Sequence, residues 1–275
     1  MTRRIACLTL DVEYDYHDLV AQRHSDALDH EPIWAWLTGL GRERGIPLTA
    51  FVVGELLEQR PDVAAKLAMT GWELGLHAYS HNPERTDTLD EIQRGKAAFR
   101  TAFGQNPSGY RAPLGKITPP GLQRLLAEGF LYDSSLFPAF RPGTFNNLRC
   151  PLEPHIVSPQ NGNGPPLVEI PCAVLRGLRI IVSVSYMRLL GLPFYQMALP
   201  LLGLPDVVVI DCHLHDLAPS PAAVRQLPPF WRFVYQRNAG RGTLMLEWLI
   251  EYLTQRGYRF TSMEHVARLV LGEKA

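Results

Sequence analysis

The sequence carries no surplus of either charge: 27 lysines and arginines face 27 aspartates and glutamates in 275 residues. Nor are the basic residues gathered into a stripe, and a nucleic-acid binder ordinarily shows one or the other. Cysteine is scarce. The four present, Cys7, Cys150, Cys172 and Cys212, have no C-x-x-C spacing, which excludes a zinc ribbon and gives no disulfide framework. No apolar run is long and regular enough to span a bilayer. The most apolar stretch, Leu178–Leu204, is broken by Arg188, Gly191, Pro193, Pro200 and Gly203, whereas a spanning helix needs ~20 apolar residues. It reads first as a buried segment and second as an apolar lip facing a membrane surface. The opening run Ile5–Leu10 is too short for a secretory signal and meets acidic residues at once. Arg3-Arg4 before so short a run does not make a twin-arginine signal either. Reduced thiols and a cytoplasmic location are therefore expected, with peripheral membrane contact if the lip reading holds. Without an internal repeat or a linker, residues 1–275 read as a single domain.

What is present is a core and a pattern. Hydrophobic residues make up 46% of the chain, enough for a globular protein. Short apolar runs alternate with helical periodicity, the signature of a parallel α/β fold. Strands are predicted at Ile5–Leu10, Leu48–Val53, Trp72–Leu76, Phe130–Tyr132, Leu167–Ile170, Val207–Ile210 and Tyr258–Phe260. Helices are predicted at Ile33–Arg44, closed by Gly45, and at Pro61–Met69, with proline in its first turn. Further helices follow at Leu89–Phe103, entered through Asp87 or Thr88 and stopped by Gly104, and at Pro119–Glu128, Thr243–Arg256 and Ser262–Leu271. The stretch Phe137–Pro166, rich in Pro, Gly and Asn, reads as a long irregular excursion.

The unusual polar residues fall just after predicted strands: Asp11 and Glu13 after the first, His77 and His81 after the third, Arg111 after Gly109-Tyr110, His213 after Val207–Ile210. In a parallel barrel or sheet those ends lie on one face, where such folds keep their active sites. His77 and His81 have ligand spacing but could be two unrelated loop histidines. Asp11 and Glu13 strengthen the metal reading, because strand alternation points both carboxylates the same way and they repel unless a cation or an arginine sits between them. Two imidazoles and one carboxylate leave open positions on a divalent ion, as a catalytic site requires. Asp15 and Asp18 read as solvated charges. Arg111 suits a pairing with Asp11. His213 or His215 is a candidate acid, with an aspartate beside it to raise its pKa.

Taken in order, these residues resemble the polysaccharide deacetylases of the NodB type, carbohydrate esterase family 4. Asp11-Val12-Glu13 looks like a spaced variant of that family's paired aspartates. His77 with His81 matches its two histidines four apart, and Arg111-Ala112-Pro113 its Arg-x-Pro, with Leu114 where an aromatic is usual. His213 matches the histidine that ends an apolar strand. Gly129–Pro138 is similar to a segment of the spaced-acid subgroup, and the likeness runs from residue 5 to about 216, more weakly to Phe260-Thr261-Ser262-Met263.

The resemblance implies a distorted (β/α) barrel of seven strands and a hydrolase that removes an N-acyl group, most simply acetyl, from an amino sugar. It implies a divalent metal, zinc or else nickel, cobalt or iron, held by Glu13, His77 and His81. Asp11 would be the base, Arg111 its partner and His213 the acid, held by Asp211, Asp133 or Asp216. The Leu114 N–H would meet the oxyanion, and Leu114 and Asp133 would contact substrate. A glycan or a lipid-linked cell-envelope amino sugar is the implied substrate. The departure at Glu13 keeps open a metal-independent amidohydrolase for ureido or cyclic amide compounds. A sugar deformylase and a non-catalytic carbohydrate-binding relative are the remaining alternatives.

Overall fold

A computed structural model describes residues 4–16, 19, 20, 22–160, 162 and 164–273. Among the described residues there are eleven strands: β1 (Ile5–Val12), β2 (Leu48–Val52), β3 (Glu73–Leu76), β4 (Gly109–Tyr110), β5 (Tyr132–Asp133), β6 (Phe140–Arg141), β7 (Phe145–Asn146), β8 (His155–Val157), β9 (Leu167–Glu169), β10 (Val207–His213) and β11 (Arg259–Phe260). Seven of them run parallel in the order β10-β1-β2-β3-β4-β5-β9. A barrel of seven strands is what the family resemblance implies. Two strands extend it: β8 pairs antiparallel on the outer edge of β9, and β11 adds to the start of β1. Strands β9 and β10 share no ladder. Their seam is crossed by the Ala173 N–H donating to the Val209 carbonyl at 3.0 Å and by a bridge between Ser183 and Asp211, so the barrel is distorted.

Strand β1 explains how the site is placed. Its apolar residues Ala6, Leu8, Leu10 and Val12 point outward into the main core, shared with the surrounding helices. The alternate residue Cys7 points inward and packs in a second core with Phe51, Tyr132 and Val209. The same alternation carries Thr9 and Asp11 up the inner row. Parallel register then sets Thr9 opposite Asp211 and Asp11 opposite His213. The helix Met263–Val270 contributes Met263, Val266 and Ala267 to the inner core, so the end of the barrel away from Asp11 is plugged with apolar side chains.

Local signals account for most of the helices. Leu89–Phe103 is entered by Thr88, whose side chain accepts from the Glu91 N–H, and left through Gly104 at φ 72°. The residues Glu31–Arg44 end on left-handed Gly45. Both are conformations that glycine adopts without a steric penalty.

Three expectations are corrected. Phe137–Pro166 is not wholly irregular, since it holds the β6–β7 hairpin and β8. Leu178–Leu204 is neither simply a buried barrel segment nor simply a lip. It folds into two helices, Val184–Leu190 and Leu192–Leu202, that bury Met187, Tyr195 and Leu199 and leave Met197 and Leu201 in solvent. Among the described residues no helix is long and apolar enough to cross a membrane. Asp15 is fully buried, accepting from the Ala27 N–H, and is not solvated. Asp18 lies outside the described residues.

Candidate active site

The C-terminal ends of β1, β3, β4 and β10 bring Asp11, Glu13, His77, His81, Arg111 and His213 to one cavity of about 600 Å³. Arg111 follows β4 and turns into the barrel, its guanidinium 4.2 Å from the Phe51 ring centre. Its Nη1 donates to Asp11 Oδ1 at 2.8 Å, to Thr9 Oγ1 at 2.8 Å and to Asp211 Oδ1 at 3.1 Å. Burial alone would lower the pKa of this guanidinium, but Asp11 and its other neighbours raise it. Asp211 behaves differently. Burial and the charge of Asp11 push it up to about 6 in spite of His213 and Arg111.

Asp11 Oδ1 is thus tied to Arg111, and Oδ2 faces the cavity, 3.7 Å from His77 Nε2 and 3.8 Å from His213 Nε2. Burial, more than the charge on His81, pulls the His77 pKa down to about 4 against the raising effect of Asp11 and Glu13. The imidazole is therefore neutral near pH 7. Its Nδ1 is 2.8 Å from the Arg111 carbonyl, which can only accept, so the ring proton sits on Nδ1 and the Nε2 lone pair points into the site.

Glu13 Oε2 is buried, 2.5 Å from His81 Nε2, its hydrogen-bond partner, and 3.8 Å from His77 Nε2. Burial pushes the Glu13 carboxyl up, and the imidazoles of His81, His213 and His77 more than offset it, holding its pKa well below the usual range. The ligand atoms of Glu13, His77 and His81 lie within 4.8 Å of one another. Among the described residues two further sets meet that distance, His213–His215–Asp216 and Asp11–Asp211–His213. In both, an arginine already occupies a carboxylate: Arg188 on Asp216, Arg111 on Asp11 and Asp211. Of these three sets among the described residues, the Glu13 set joins a carboxylate that no arginine occupies to a neutral imidazole lone pair. Its donors fit a divalent ion such as zinc.

On the opposite wall His213 Nδ1 is 3.1 Å from Asp216 Oδ2. Burial opposes the imidazolium, but Asp211, the hydrogen bond to Asp216 and the charge of Glu13 outweigh it and raise the His213 pKa well above its ordinary value. Asp216 is pushed up by burial and held well below its ordinary value by His213 and Arg188. Of the three aspartates considered for this role, the one in contact with His213 Nδ1 is Asp216. His215 stacks behind His213, ring centres 4.9 Å apart, with its own pKa lowered to about 4 chiefly by burial and then by the His213 charge.

Leu114 lines the cavity at φ 56°, a left-handed conformation unusual for leucine. Among the described residues its N–H has no hydrogen-bond acceptor. His81 and Ala78 are also left-handed, at φ 56° and 55°. Strained backbone of this kind gathers at functional sites. Asp133, which the family resemblance makes a substrate contact, does not line the cavity. It is fully buried in β5, where it accepts from the Ser135 hydroxyl and N–H.

Tyr16, Trp231 and Tyr235, which with Tyr14 read from sequence either as sugar-stacking aromatics or as ordinary core or rim, line the cavity, as do Arg141, Ser185 and Arg188. Arg141 and Ser185 carried no signal in the sequence. Arg188 did carry one, a lone charge inside the most apolar stretch, where an arginine needs a buried partner.

The fold and this cluster define a class, the α/β barrels with carboxylates, imidazoles and an arginine gathered at the C-terminal strand ends. Comparison narrows it. The family model described as polysaccharide deacetylase matches residues 26–130, less than half of the chain. A peptidoglycan deacetylase-like protein of Gibberella zeae, FGM2, is 31% identical over 96 residues, which are 32% of this chain and 28% of that protein. The match thus spans little more than a quarter of the relative's length.

A candidate polysaccharide deacetylase of Mycobacterium smegmatis superposes with a TM-score of 0.61 at 20% identity, covering 99% of this chain and 92% of the other. The allantoinase PuuE gives 0.62 at 19%, covering 97% and 90%. BA3943 of Bacillus anthracis, a CE4 family pseudoenzyme, gives 0.53 at 11%, covering 96% and 66%. At such identities these likenesses speak for the fold alone.

Proposed function

We propose that the protein hydrolyses the N-acyl group, most simply N-acetyl, of an amino sugar in a glycan or a lipid-linked precursor. The observation that carries this reading is the arrangement around Asp11 Oδ2. On one side lies an imidazole–carboxylate set fit for a divalent ion, and on the other, 3.8 Å away, an imidazole built to stay protonated. Amide hydrolysis needs those two functions on opposite sides of the scissile bond. Glu13, His77 and His81 would hold a divalent ion, which when bound would supply Lewis acidity, lowering the pKa of water toward ~7 and polarising the acyl oxygen.

The chain's own groups do the rest. Arg111 fixes Asp11 Oδ1, so Oδ2 is the oxygen left to take a proton from the attacking water. The free Leu114 N–H lines the same cavity and can donate to the developing oxyanion, a contact of about 3 kcal/mol in comparable sites. His213, its Nδ1–H held by Asp216, presents Nε2–H to the departing amine, which is a poor leaving group until protonated. A purely carbohydrate-binding protein has no use for a base, an arginine partner and an acid together. A cytoplasmic site of action accompanies this reading.

The test is elemental analysis of the purified protein and of His77→Ala, with acetate release from N-acetylated amino sugars measured on both. About one divalent ion per chain and acetate release, both lost in the variant, are expected. Turnover without any bound metal, even after zinc or cobalt is supplied, would transfer the site to the metal-independent amidohydrolases.

A further inference from the structure

The cavity has a second polar region that the hydrolytic reading does not use. Arg141 stands on the β6–β7 hairpin, where Arg141-Pro142-Gly143-Thr144 closes a turn. The Thr144 N–H donates to the Arg141 carbonyl at 3.0 Å, and Gly143 is at φ 72°. Proline in the second place and left-handed glycine in the third are the residues a type II turn demands, so the hairpin is a stiff mount. Arg141 pairs across it with Phe145, and directly opposed residues share a face. Both line the cavity. Among the described residues the Arg141 guanidinium has no ion pair and no hydrogen bond.

Two more donors on this cavity lack partners, and both are almost wholly buried. Arg188, 2% exposed, uses Nη1 on Asp216 and on the His215 carbonyl and Nη2 on the Tyr235 carbonyl, leaving Nε unsatisfied. Tyr16, 3% exposed, has an unsatisfied hydroxyl. The ring of Tyr235 packs edge-on against Tyr16 at 4.7 Å. Its hydroxyl feels both Arg141 and Arg188, whose charges partly offset the rise caused by burial and Asp216. Tyr235 lines the same cavity as both arginines. An unpaired buried donor is costly, and two of them, on a cavity that the half-buried Arg141 also lines, call for an acceptor from outside the chain.

We propose that Arg141, Arg188 Nε and the Tyr16 hydroxyl form a subsite for a phosphoryl group carried by the acylated sugar. The donors come from three separate elements: a hairpin, the helix Val184–Leu190 and the loop after β1. A phosphate monoester or diester offers oxygens in several directions to match them, where a carboxylate offers two in one plane. The subsite deepens the hydrolase reading by making the substrate an N-acyl amino sugar phosphate. The phosphate can belong to a soluble sugar phosphate or join the sugar to a lipid. For the second source, Phe230 lines the cavity and is 68% exposed beside it.

Calorimetric titration with inorganic phosphate and with farnesyl phosphate tests this on the intact protein, Arg141→Gln and Tyr16→Phe. Phosphate affinity at least tenfold weaker in Arg141→Gln, and weaker by a smaller factor in Tyr16→Phe, is the expected result. Farnesyl phosphate binding tenfold or more tighter than phosphate assigns the lipid source, and equal affinities assign the soluble one. Equal phosphate affinities for the intact protein and Arg141→Gln, both folded by circular dichroism, would overturn the subsite. Because no turnover is read, the two proposals fail separately. Phosphate binding without acetate release removes the reaction alone, and acetate release without the Arg141 effect removes the subsite alone.

Discussion

His213 and Arg111 make opposite demands on their aspartates. The His213–Asp216 contact serves to keep an imidazole charged, so its effect is read in a pH profile. For an acid that must be protonated, kcat/KM falls as pH rises through its pKa. That pKa is raised above the ordinary histidine value by Asp211, by the hydrogen bond to Asp216 and by Glu13, so the alkaline limb lies correspondingly high. Asp216→Asn removes one of the raising charges. The limb moves to lower pH and kcat falls by about 10²-fold, the lower part of the range for a positioned general acid. An unmoved limb would separate Asp216 from the proton.

Arg111, by contrast, is buried charge compensation. Arg111→Met leaves Asp11 and Asp211 without their shared cation in a site where all three are nearly inaccessible. Breaking such a pair from one side costs about 3–5 kcal/mol, which a urea titration would register. A loss below about 1 kcal/mol would mean that water, rather than Arg111, solvates these carboxylates.

At the scale of elements, glycine shows how tightly the wall behind the acid is built. The helix Gly242–Gln255 begins against Asp216 and Leu217, and a Cβ on Gly242 would stand 2.0 Å from the Asp216 carbonyl oxygen. That contact is with backbone, which cannot swing away. Gly242→Ala should therefore push Asp216 off His213 and lower kcat while costing about 1–3 kcal/mol of stability, the range for overpacking. Wild-type kcat in that variant would show that the helix start moves freely.

Elements such as this helix were legible, predicted as Thr243–Arg256, and Leu89–Phe103 was found with the predicted bounds. Long apolar periodicity and explicit caps leave few alternatives. The ends of β1 and β10 were read short, because Asp11, Asp211 and His213 look like loop residues until the barrel interior buries them. The six motif residues were legible as strand-end polar groups. Arg141 and Arg188 were not, and Tyr16 was legible only as one of four aromatics that could meet a sugar, since only tertiary packing brings a hairpin, a helix and a loop to one cavity. Asp15 misled for the same reason: nothing local indicates that the Ala27 backbone will cover it.

At the scale of the whole molecule, the barrel closes over carboxyls that take no part in the site, and its stability should depend on pH through them. Asp133 and Glu169 are register partners on β5 and β9, both fully buried. Ser135 and the Leu136 N–H bond one oxygen or more of each, yet Glu169 Oε2 is left unsatisfied. Burial first, then the neighbouring Asp133 charge, raises Glu169 well above the ordinary value of 4.5. Asp133 is raised as well, chiefly by burial. A carboxyl whose folded pKa exceeds its unfolded one binds more protons when folded. Its contribution is complete below the unfolded value and is lost as pH rises through the folded one. Unfolding free energy should therefore decline from about pH 5 toward alkaline pH as Glu169 is forced to ionise beside Asp133. Glu169→Gln, which cannot ionise and keeps an acceptor for the Leu136 N–H, should flatten that decline and be more stable than the parent at pH 8. Denaturant titrations of both proteins at pH 5, 6.5 and 8 decide it. Parallel pH curves would show that this pair shares a proton throughout the range, and that other groups carry the alkaline loss.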